Sequence, residues 1–207
     1  MLSEYDCDDT KTKLVDPSIT QLLKNHCRKD FVKIVFDDMG LADAEWILFI
    51  VSNYENDLMD SAGKGTGGSH YNLLVYSKKQ NTFFDLDPLY FTNGPSVKKL
   101  FDNIKELMAE GSTLCEIRCP QQRNGFDCGP YTLLFTERVI EKINTGESIE
   151  PIHVKPDDIR RCRSNLRKLI EEEIKSKSKG NKDRHDPRVG DGGKHSKSKT
   201  NQGVGVT

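Results

Sequence analysis

Apolar positions divide the chain into segments with helical spacing and segments that are typical of strands. Apolar residues three and four positions apart follow an Asp-Pro pair at 16–17 and predict a first helix. The same spacing predicts further helices over about 30–36, 97–108, 127–144 and 157–174. Apolar runs predict strands over 46–51, 70–76, 82–87 and 114–118. This order of elements predicts an α+β domain with a small, mostly antiparallel sheet flanked by helices.

The second and third of these strands are separated only by residues 77–81, which predicts a hairpin. With a two-residue turn His70 lies opposite Asp87, and with a four-residue turn the two are diagonal neighbours on one face. Asp85 shares this face one step deeper, whereas a three-residue turn would place Asp87 on the other face. An imidazole held by a carboxylate is the base that a nucleophile requires. A strand-start histidine without a task remains the alternative.

A cysteine at a helix tip is the candidate nucleophile. Cys128 lies in NGFDCGPY, where Asp127 can serve as the N-cap and Pro130 fits the first turn. The positive end of the helix dipole favours the thiolate, which is the nucleophilic form. Gln122, six residues earlier, could donate a side-chain N–H to an oxyanion together with the backbone N–H of Cys128. Gln121 is a competing candidate for that role.

Composition narrows the remaining classes of function. The longest apolar run, residues 46–51, is too short to span a bilayer, and the acidic start of the chain shows no secretion signal. We therefore expect a cytoplasmic or nuclear protein, without membrane attachment, whose six cysteines are reduced. The glycine-rich segment 61–69 is not a phosphate-binding loop, because Lys64 is followed by Gly65. Cys115 and Cys119 lack a histidine pair to complete a zinc site, so no metal is expected.

Charge is distributed unevenly along the chain. Residues 175–207 hold nine Lys or Arg and three Asp, a net charge of +6, and contain almost nothing apolar. We expect this segment to be a disordered basic tail. The other residues hold 22 basic and 29 acidic side chains, a net charge of −7, which offers no broad face for nucleic acid. The basic residues of the last helix are expected to face solvent: Arg160, Arg161, Arg163, Arg167 and Lys168.

Three segments, GGSHYNLLVY, FFDLD and QQRNGFDCG, resemble in this order the catalytic segments of the Ulp/sentrin-specific cysteine protease family. Their spacing is most similar to that of the deneddylase branch, which acts on the cullin-activating ubiquitin-like modifier. The resemblance covers roughly residues 16–144 and implies a papain-like α+β fold, with residues 1–174 as the catalytic domain. It implies hydrolysis after the C-terminal diglycine of a ubiquitin-like modifier, of the cullin-modifier or SUMO type, by a monomer that needs no cofactor.

The resemblance also assigns roles to residues. It makes His70 the general base, Asp87 its orienting acid, Cys128 the nucleophile and Gln122 the oxyanion-hole residue. Tyr71 stands where the family usually has Trp, and it is the expected substrate-binding lid over the diglycine tail. The family's N-terminal helical segment, with its Trp-Leu-Asn-Asp motif, is missing from this sequence. That difference keeps a second hypothesis open, a non-catalytic module that binds the modifier without cutting it.

A third hypothesis is an acetyltransferase built on a related Cys/His fold. Such an enzyme needs a basic pocket for the phosphates of an acyl-CoA, and the acidic body of this chain does not indicate one. The protease hypothesis ranks first and the binding module second.

Overall fold

The structure is a computed structural model that describes residues 11–26, 28–54, 69–90 and 92–180. The glycine-rich segment (apart from Ser69), Cys27 of the first predicted helix and the tail beyond residue 180 lie outside this description. The chain forms two compact units, Met1–Asn165 and Leu166–Thr207. The strands are β1 (Thr12–Val15), β2 (Trp46–Ser52), β3 (Tyr71–Ser77), β4 (Thr82–Leu86) and β5 (Thr113–Glu116). The helices are α1 (Pro17–Asn25), α2 (Lys29–Asp38), α3 (Gly94–Ile104), α4 (Cys128–Thr145) and α5 (Pro156–Gly180).

The five strands form one sheet in chain order. Its centre is antiparallel, since β3 pairs in this way with both β2 and β4. Both edges are parallel, because β1 runs parallel to β2 and β5 parallel to β4. The α+β class is confirmed, and the predicted antiparallel pairing holds for the central strands. The strand β1 was not predicted, because its four residues, TKLV, carry too short an apolar signal.

The register of the hairpin selects one of the two turn lengths that the sequence left open. Leu73 pairs with Leu86 and Ser77 with Thr82, which leaves the four residues 78–81 in the turn. Asn81 has a φ of 48°, in the left-handed region that Asn tolerates better than most residues. Because the turn is even-numbered, the side chains that precede β3 and follow β4 meet on one side of the sheet.

Successive side chains of β2 belong alternately to two separate hydrophobic clusters. Ile47, Phe49 and Val51 belong to a cluster that includes apolar residues of α1, α2 and α3. Leu48, between them, belongs to a second cluster that includes Phe135 of α4. The sheet is therefore covered by α1 to α3 on one face and by α4 on the other, which explains why residues 46–51 of β2 are all apolar.

The ends of the helices follow largely from local sequence. The Asp16 side chain caps α1 by accepting a hydrogen bond of 2.7 Å from the backbone N–H of Ser18. Helix α4 ends at Gly146, whose φ of 71° is favourable only without a side chain. Helix α5 continues to Gly180, so residues 175–180 are helical although we expected the disordered tail to begin there. No helix in the described part of the chain is long and apolar enough to cross a membrane.

Candidate active site

His70 and Asp87 form a buried pair where the hairpin strands leave the sheet. The Nε2 atom of His70 lies 2.6 Å from Oδ1 of Asp87, and both residues are buried. This confirms the adjacency that the even-numbered turn predicts. Because Nε2 of the imidazole is bound to the carboxylate, Nδ1 is the ring nitrogen that is left to accept or donate a proton. The carboxylate thus fixes the plane of the ring and can stabilise its protonated form.

Asp87 is itself held by two backbone amides. Its Oδ1 accepts from the N–H of Leu89 at 2.9 Å, and its Oδ2 accepts from the N–H of Asn93 at 3.1 Å. The side chain of Asn93 is fully buried and donates to the carbonyl of Val51 at 3.0 Å and to Oδ1 of Asn72. The carboxylate orientation therefore depends on the start of α3 as well as on the hairpin.

Asp85 lies deeper on the same face, as expected. Its Oδ1 accepts a hydrogen bond from the side-chain amide of Asn72. Burial raises the pKa of this carboxyl to about 7, although the hydrogen bond from Asn72 acts in the opposite direction. A cavity of about 370 Å³ opens beside it, and its lining residues are Asp85, Asp87, Tyr90, Glu116, Ile117 and Arg118.

The backbone of His70 is held by Asn53, which follows β2. The Oδ1 of Asn53 accepts from the N–H groups of Ser69 (2.8 Å) and His70 (3.0 Å), and its Nδ2 contacts Oγ of Ser69 at 2.9 Å. The backbone N–H of Asn53 also donates to the carbonyl of His70 at 3.2 Å. These hydrogen bonds, which we call the Asn53 clamp, fix the backbone of His70 and so the position from which its imidazole projects.

Two side chains of α1 hold the backbone on either side of Asn53. Lys24 is fully buried and donates from Nζ to the carbonyls of Ser52, at 2.6 Å, and Tyr54. Gln21 donates from Nε2 to the carbonyl of Tyr54 at 2.6 Å. A buried ammonium requires such acceptors, since an unpaired charge in the interior is very costly.

Cys128 is the first residue of α4 and is buried next to the histidine segment. Its Sγ lies 4.0 Å from the carbonyl oxygen of Ser69, and one turn later Oγ1 of Thr132 donates to the carbonyl of Tyr71 at 3.2 Å. These two contacts bracket His70. The first backbone bond of α4 runs from the N–H of Tyr131 to the carbonyl of Asp127. The N–H of Cys128 therefore has no acceptor within the helix and is the kind of donor that an oxyanion needs.

Gln122 and Gln121 have different environments. The Nε2 of Gln122 donates to the carbonyl of Asn124 at 2.6 Å, while its Oε1 is buried without a partner. Gln121 uses both ends of its amide to hold the segment that follows β4, because Nε2 donates to the carbonyl of Asp87 at 2.8 Å and Oε1 accepts from the N–H of Tyr90 at 2.9 Å. Gln122 retains its second Nε2 hydrogen, so it is better suited to bind an oxyanion.

Asp127 differs from its predicted role. It occupies the N-cap position of α4, but its side chain makes no capping hydrogen bond. Its Oδ2 accepts from Nδ2 of Asn124 at 2.7 Å, and its Oδ1 accepts from Nη1 of Arg163 at 2.8 Å. Arg163 is thus not simply a solvated residue of α5, as the sequence suggested, since its guanidinium also lies 4.9 Å from the ring centroid of Phe126.

The remaining candidates lie where they could affect the site. Tyr71 is 37% exposed and directly follows His70, so its ring is available to a bound molecule. Cys119 is buried and contacts the carbonyl of Asp87 through Sγ at 3.2 Å. Burial raises the pKa of its thiol to about 12, which keeps it neutral. Among the described residues, no group of three or more His, Cys, Asp or Glu side chains could hold a metal ion.

The supporting residues that the sequence did not indicate include Asn53, Asn72, Asn93 and Arg163. The three asparagines are short polar residues without a periodic pattern, and their partners are distant in the chain. Arg163 has a partner 36 residues away. The one local signal was Asn72, which alternation places on the same face as His70 and Asp85.

Comparison with known proteins places this site in a family. Residues 46–178 match the family described as the Ulp1 protease family, C-terminal catalytic domain. NEDD8-specific protease 1 of Arabidopsis thaliana is 33% identical over 134 residues, which cover 63% of this chain and 56% of the relative. Sentrin-specific protease 8 of Rattus norvegicus is 25% identical over 170 residues, covering 80% of this chain and 75% of the relative.

Solved structures support the same fold. A structure described as the crystal structure of the de-sumoylating protease has a TM-score of 0.56 at 13% identity, covering 87% of this chain and 78% of that one. The papain-like fold expectation is confirmed. The family match covers more than half of the chain and includes the His70, Asp87 and Cys128 segments. The chain therefore belongs to the Ulp1 protease family, whose C-terminal catalytic domain it contains.

Proposed function

We propose that this chain is a cysteine peptidase that cleaves the peptide or isopeptide bond after the C-terminal diglycine of a ubiquitin-like modifier. The observation that carries the proposal is the buried His70–Asp87 pair, at 2.6 Å, beside a cysteine at the tip of α4. The family match supports it. We assign the roles of nucleophile to Cys128, general base to His70, orienting acid to Asp87 and oxyanion donor to Gln122.

The first half of the reaction forms an acyl-enzyme. His70 takes the thiol proton of Cys128, and the sulfur attacks the carbonyl carbon of the terminal glycine. The negative charge on the carbonyl oxygen is stabilised by the backbone N–H of Cys128 and the free Nε2 hydrogen of Gln122. When the intermediate collapses, the C–N bond breaks, and protonated His70 gives its proton to the leaving amine.

The second half releases the modifier. Neutral His70 takes a proton from water, and the resulting hydroxide attacks the thioester carbonyl. The C–S bond then breaks, the modifier leaves with a free carboxylate, and the proton on His70 returns to the sulfur of Cys128. The hydrogen bond that the Gln122 amide donates to the carbonyl of Asn124 keeps the oxyanion donor in place during both halves, so little reorganisation is required.

The names of the relatives point to two modifiers of the ubiquitin-like class. The plant relative is named for NEDD8, the rat relative is named for sentrin, and the solved structure is named for removal of SUMO. We propose a NEDD8-type modifier as the first choice and SUMO as the second, because the relative named for NEDD8 has the higher identity, 33% against 25%. Tyr71, exposed beside His70, is the proposed contact for the extended glycine tail.

The second candidate function is a binding module that holds the modifier without cleaving it. The observation that favours it is the Gln122 amide, which already donates one of its two Nε2 hydrogens to the carbonyl of Asn124 and has a single hydrogen left for an oxyanion. In such a module the His70–Asp87 pair would have only a structural role. Reactivity of Cys128 separates the two candidates, because a pure binder needs no nucleophile.

The test is a panel of ubiquitin-like modifiers, each carrying a thiol-reactive group in place of its C-terminal carboxylate. We expect at least one to label the chain at Cys128 and Cys128→Ala to abolish the label. Cys115→Ala is the matched control, since this exposed thiol on β5 would react only non-specifically. If every modifier fails to label a folded chain but one still binds, the binding module is correct and the protease proposal is wrong.

A further inference from the structure

We propose that Arg163 of α5 is a positioning residue for the nucleophile loop, residues 122–128, and that it neutralises the carboxylate next to the nucleophile. The inference rests on the proposed function, because it assigns Cys128 and Gln122 their catalytic roles. Arg163 lies within the first compact unit and has its partner 36 residues earlier in the chain.

A continuous series of hydrogen bonds joins Arg163 to the oxyanion donor. Nη1 of Arg163 donates to Oδ1 of Asp127 at 2.8 Å, and Oδ2 of Asp127 accepts from Nδ2 of Asn124 at 2.7 Å. The Oδ1 of Asn124 accepts from the N–H groups of Phe126 and Asp127. Finally, the carbonyl of Asn124 accepts from Nε2 of Gln122 at 2.6 Å. Asn124 therefore folds the loop, and Arg163 holds it through Asp127.

The second part of the role is electrostatic. Asp127 is mostly buried and immediately precedes Cys128, so its negative charge opposes formation of a thiolate. Arg163 supplies the compensating positive charge within hydrogen-bonding distance. Sγ of Cys128 also contacts the carbonyl of Ser69, the residue before His70, and the ring of His70 pairs with Asp87. Loss of Arg163 would leave Asp127 as an uncompensated charge beside the nucleophile.

Phe126 adds a contact that depends on the guanidinium. Its ring is 63% exposed, and the Arg163 guanidinium lies 4.9 Å from its centroid. This distance is within the range of a cation–π interaction, for which arginine is better suited than lysine. This contact holds Phe126, two positions before Cys128, although its side chain is largely exposed to solvent.

The test uses Arg163→Gln and Arg163→Lys, with Arg160→Gln as the matched control. Arg160 is on the same helix, is exposed, and pairs with Asp157 instead of the active-site loop. Two rates are measured over pH 5–9: alkylation of Cys128 by iodoacetamide, followed by mass spectrometry, and turnover of the modifier that labels the chain. Circular dichroism confirms that each variant is folded.

We expect Arg163→Gln to lower kcat about ten-fold or more with a smaller change in KM, because the loop loses its geometry. We also expect the pH of half-maximal alkylation to rise by roughly 0.5 to 1 unit. Arg163→Lys should restore most of the pH profile but less of kcat, since it keeps the charge without the stacking. Asp127→Asn combined with Arg163→Gln should return the profile to that of the wild type.

Two results would overturn the inference. One is a folded Arg163→Gln variant that matches Arg160→Gln in both kcat and pH profile. The other is a double variant whose profile stays as far from the wild type as that of Arg163→Gln alone. If Arg163→Gln does not fold, Asp127→Asn alone must lower the pH of half-maximal alkylation, and an unchanged value refutes the electrostatic role. Failure of all modifiers to label a wild type that iodoacetamide still alkylates would refute the proposed function instead.

Discussion

Asp85 gives the fold a pH dependence that one substitution should remove. This carboxyl is buried beneath the His70–Asp87 pair, and burial raises its pKa from the usual 3.8 to about 7. Between these two values the folded chain keeps a proton that the unfolded chain has lost. The contribution of Asp85 to the unfolding free energy therefore falls as pH rises from about 4 to about 7 and is constant above that range. At 1.36 kcal/mol per unit, the difference corresponds to roughly 4 kcal/mol of unfolding free energy at pH 8.

Asp85→Asn should remove this cost while keeping the packing. The amide has nearly the same shape, and its oxygen can still accept the hydrogen bond from Asn72. We expect the variant to exceed the stability of the wild type by only about 1 kcal/mol near pH 4.5 and by up to roughly 4 kcal/mol at pH 8. Urea unfolding, monitored by the fluorescence of Trp46, the single tryptophan, measures the unfolding free energy of both proteins at each pH.

The control is Asp37→Asn, which removes an exposed carboxylate paired with Lys33 on α2. Such a surface pair contributes at most about 1 kcal/mol, so the control should show no comparable gain at pH 8. If the stability difference between Asp85→Asn and the wild type is the same at pH 4.5 and pH 8, the carboxyl does not carry a raised pKa. The electrostatic account of this buried site would then be wrong.

Three further predictions concern the residues around the nucleophile. Asp87→Asn should reduce kcat by roughly 10² to 10⁴ with little change in KM, measured by steady-state turnover, and a change in KM alone would contradict its role toward His70. Asn53→Ala removes the clamp on the His70 backbone and should cost roughly 1–3 kcal/mol in urea unfolding as well as lowering kcat; an unchanged kcat would show that the clamp is only structural. Cys119 should resist iodoacetamide at pH 7, since about 10⁻⁵ of a thiol with a pKa of about 12 is ionised, and mass spectrometry that finds it alkylated alongside Cys128 would disprove this.

The local features of the fold were predictable from the sequence. Helical spacing located α1 to α5, and the Asp16 cap and the Gly146 terminus follow directly from residue type. The proximity of His70 and Asp87 was predictable because the side-chain period of a strand is two, so only the parity of the turn mattered. The choice between a two-residue and a four-residue turn was not predictable, because both turns satisfy the same pattern of apolar residues.

The long-range features could not be derived in this way. Whether an edge strand is parallel or antiparallel depends on the path by which the chain connects it to the rest of the sheet. Strands β1 and β5 have four residues each, and so short a segment carries no signal of its direction. Arg163 belongs to a run of basic residues, and nothing in that run distinguishes it from its neighbours. Likewise, Asp127 suits an N-cap by residue type, but the tertiary contact with Arg163 competes for its oxygen atoms and prevails.

The buried lysine of α1 has a practical consequence for anyone who shortens this protein. The family match begins at residue 46, which invites an expression boundary at the start of β2. Such a boundary would discard both Lys24 and Gln21 and leave the carbonyls of Ser52 and Tyr54 without their donors. A fragment cut by homology alone would thus retain every candidate catalytic side chain and still lose the support beneath one of them.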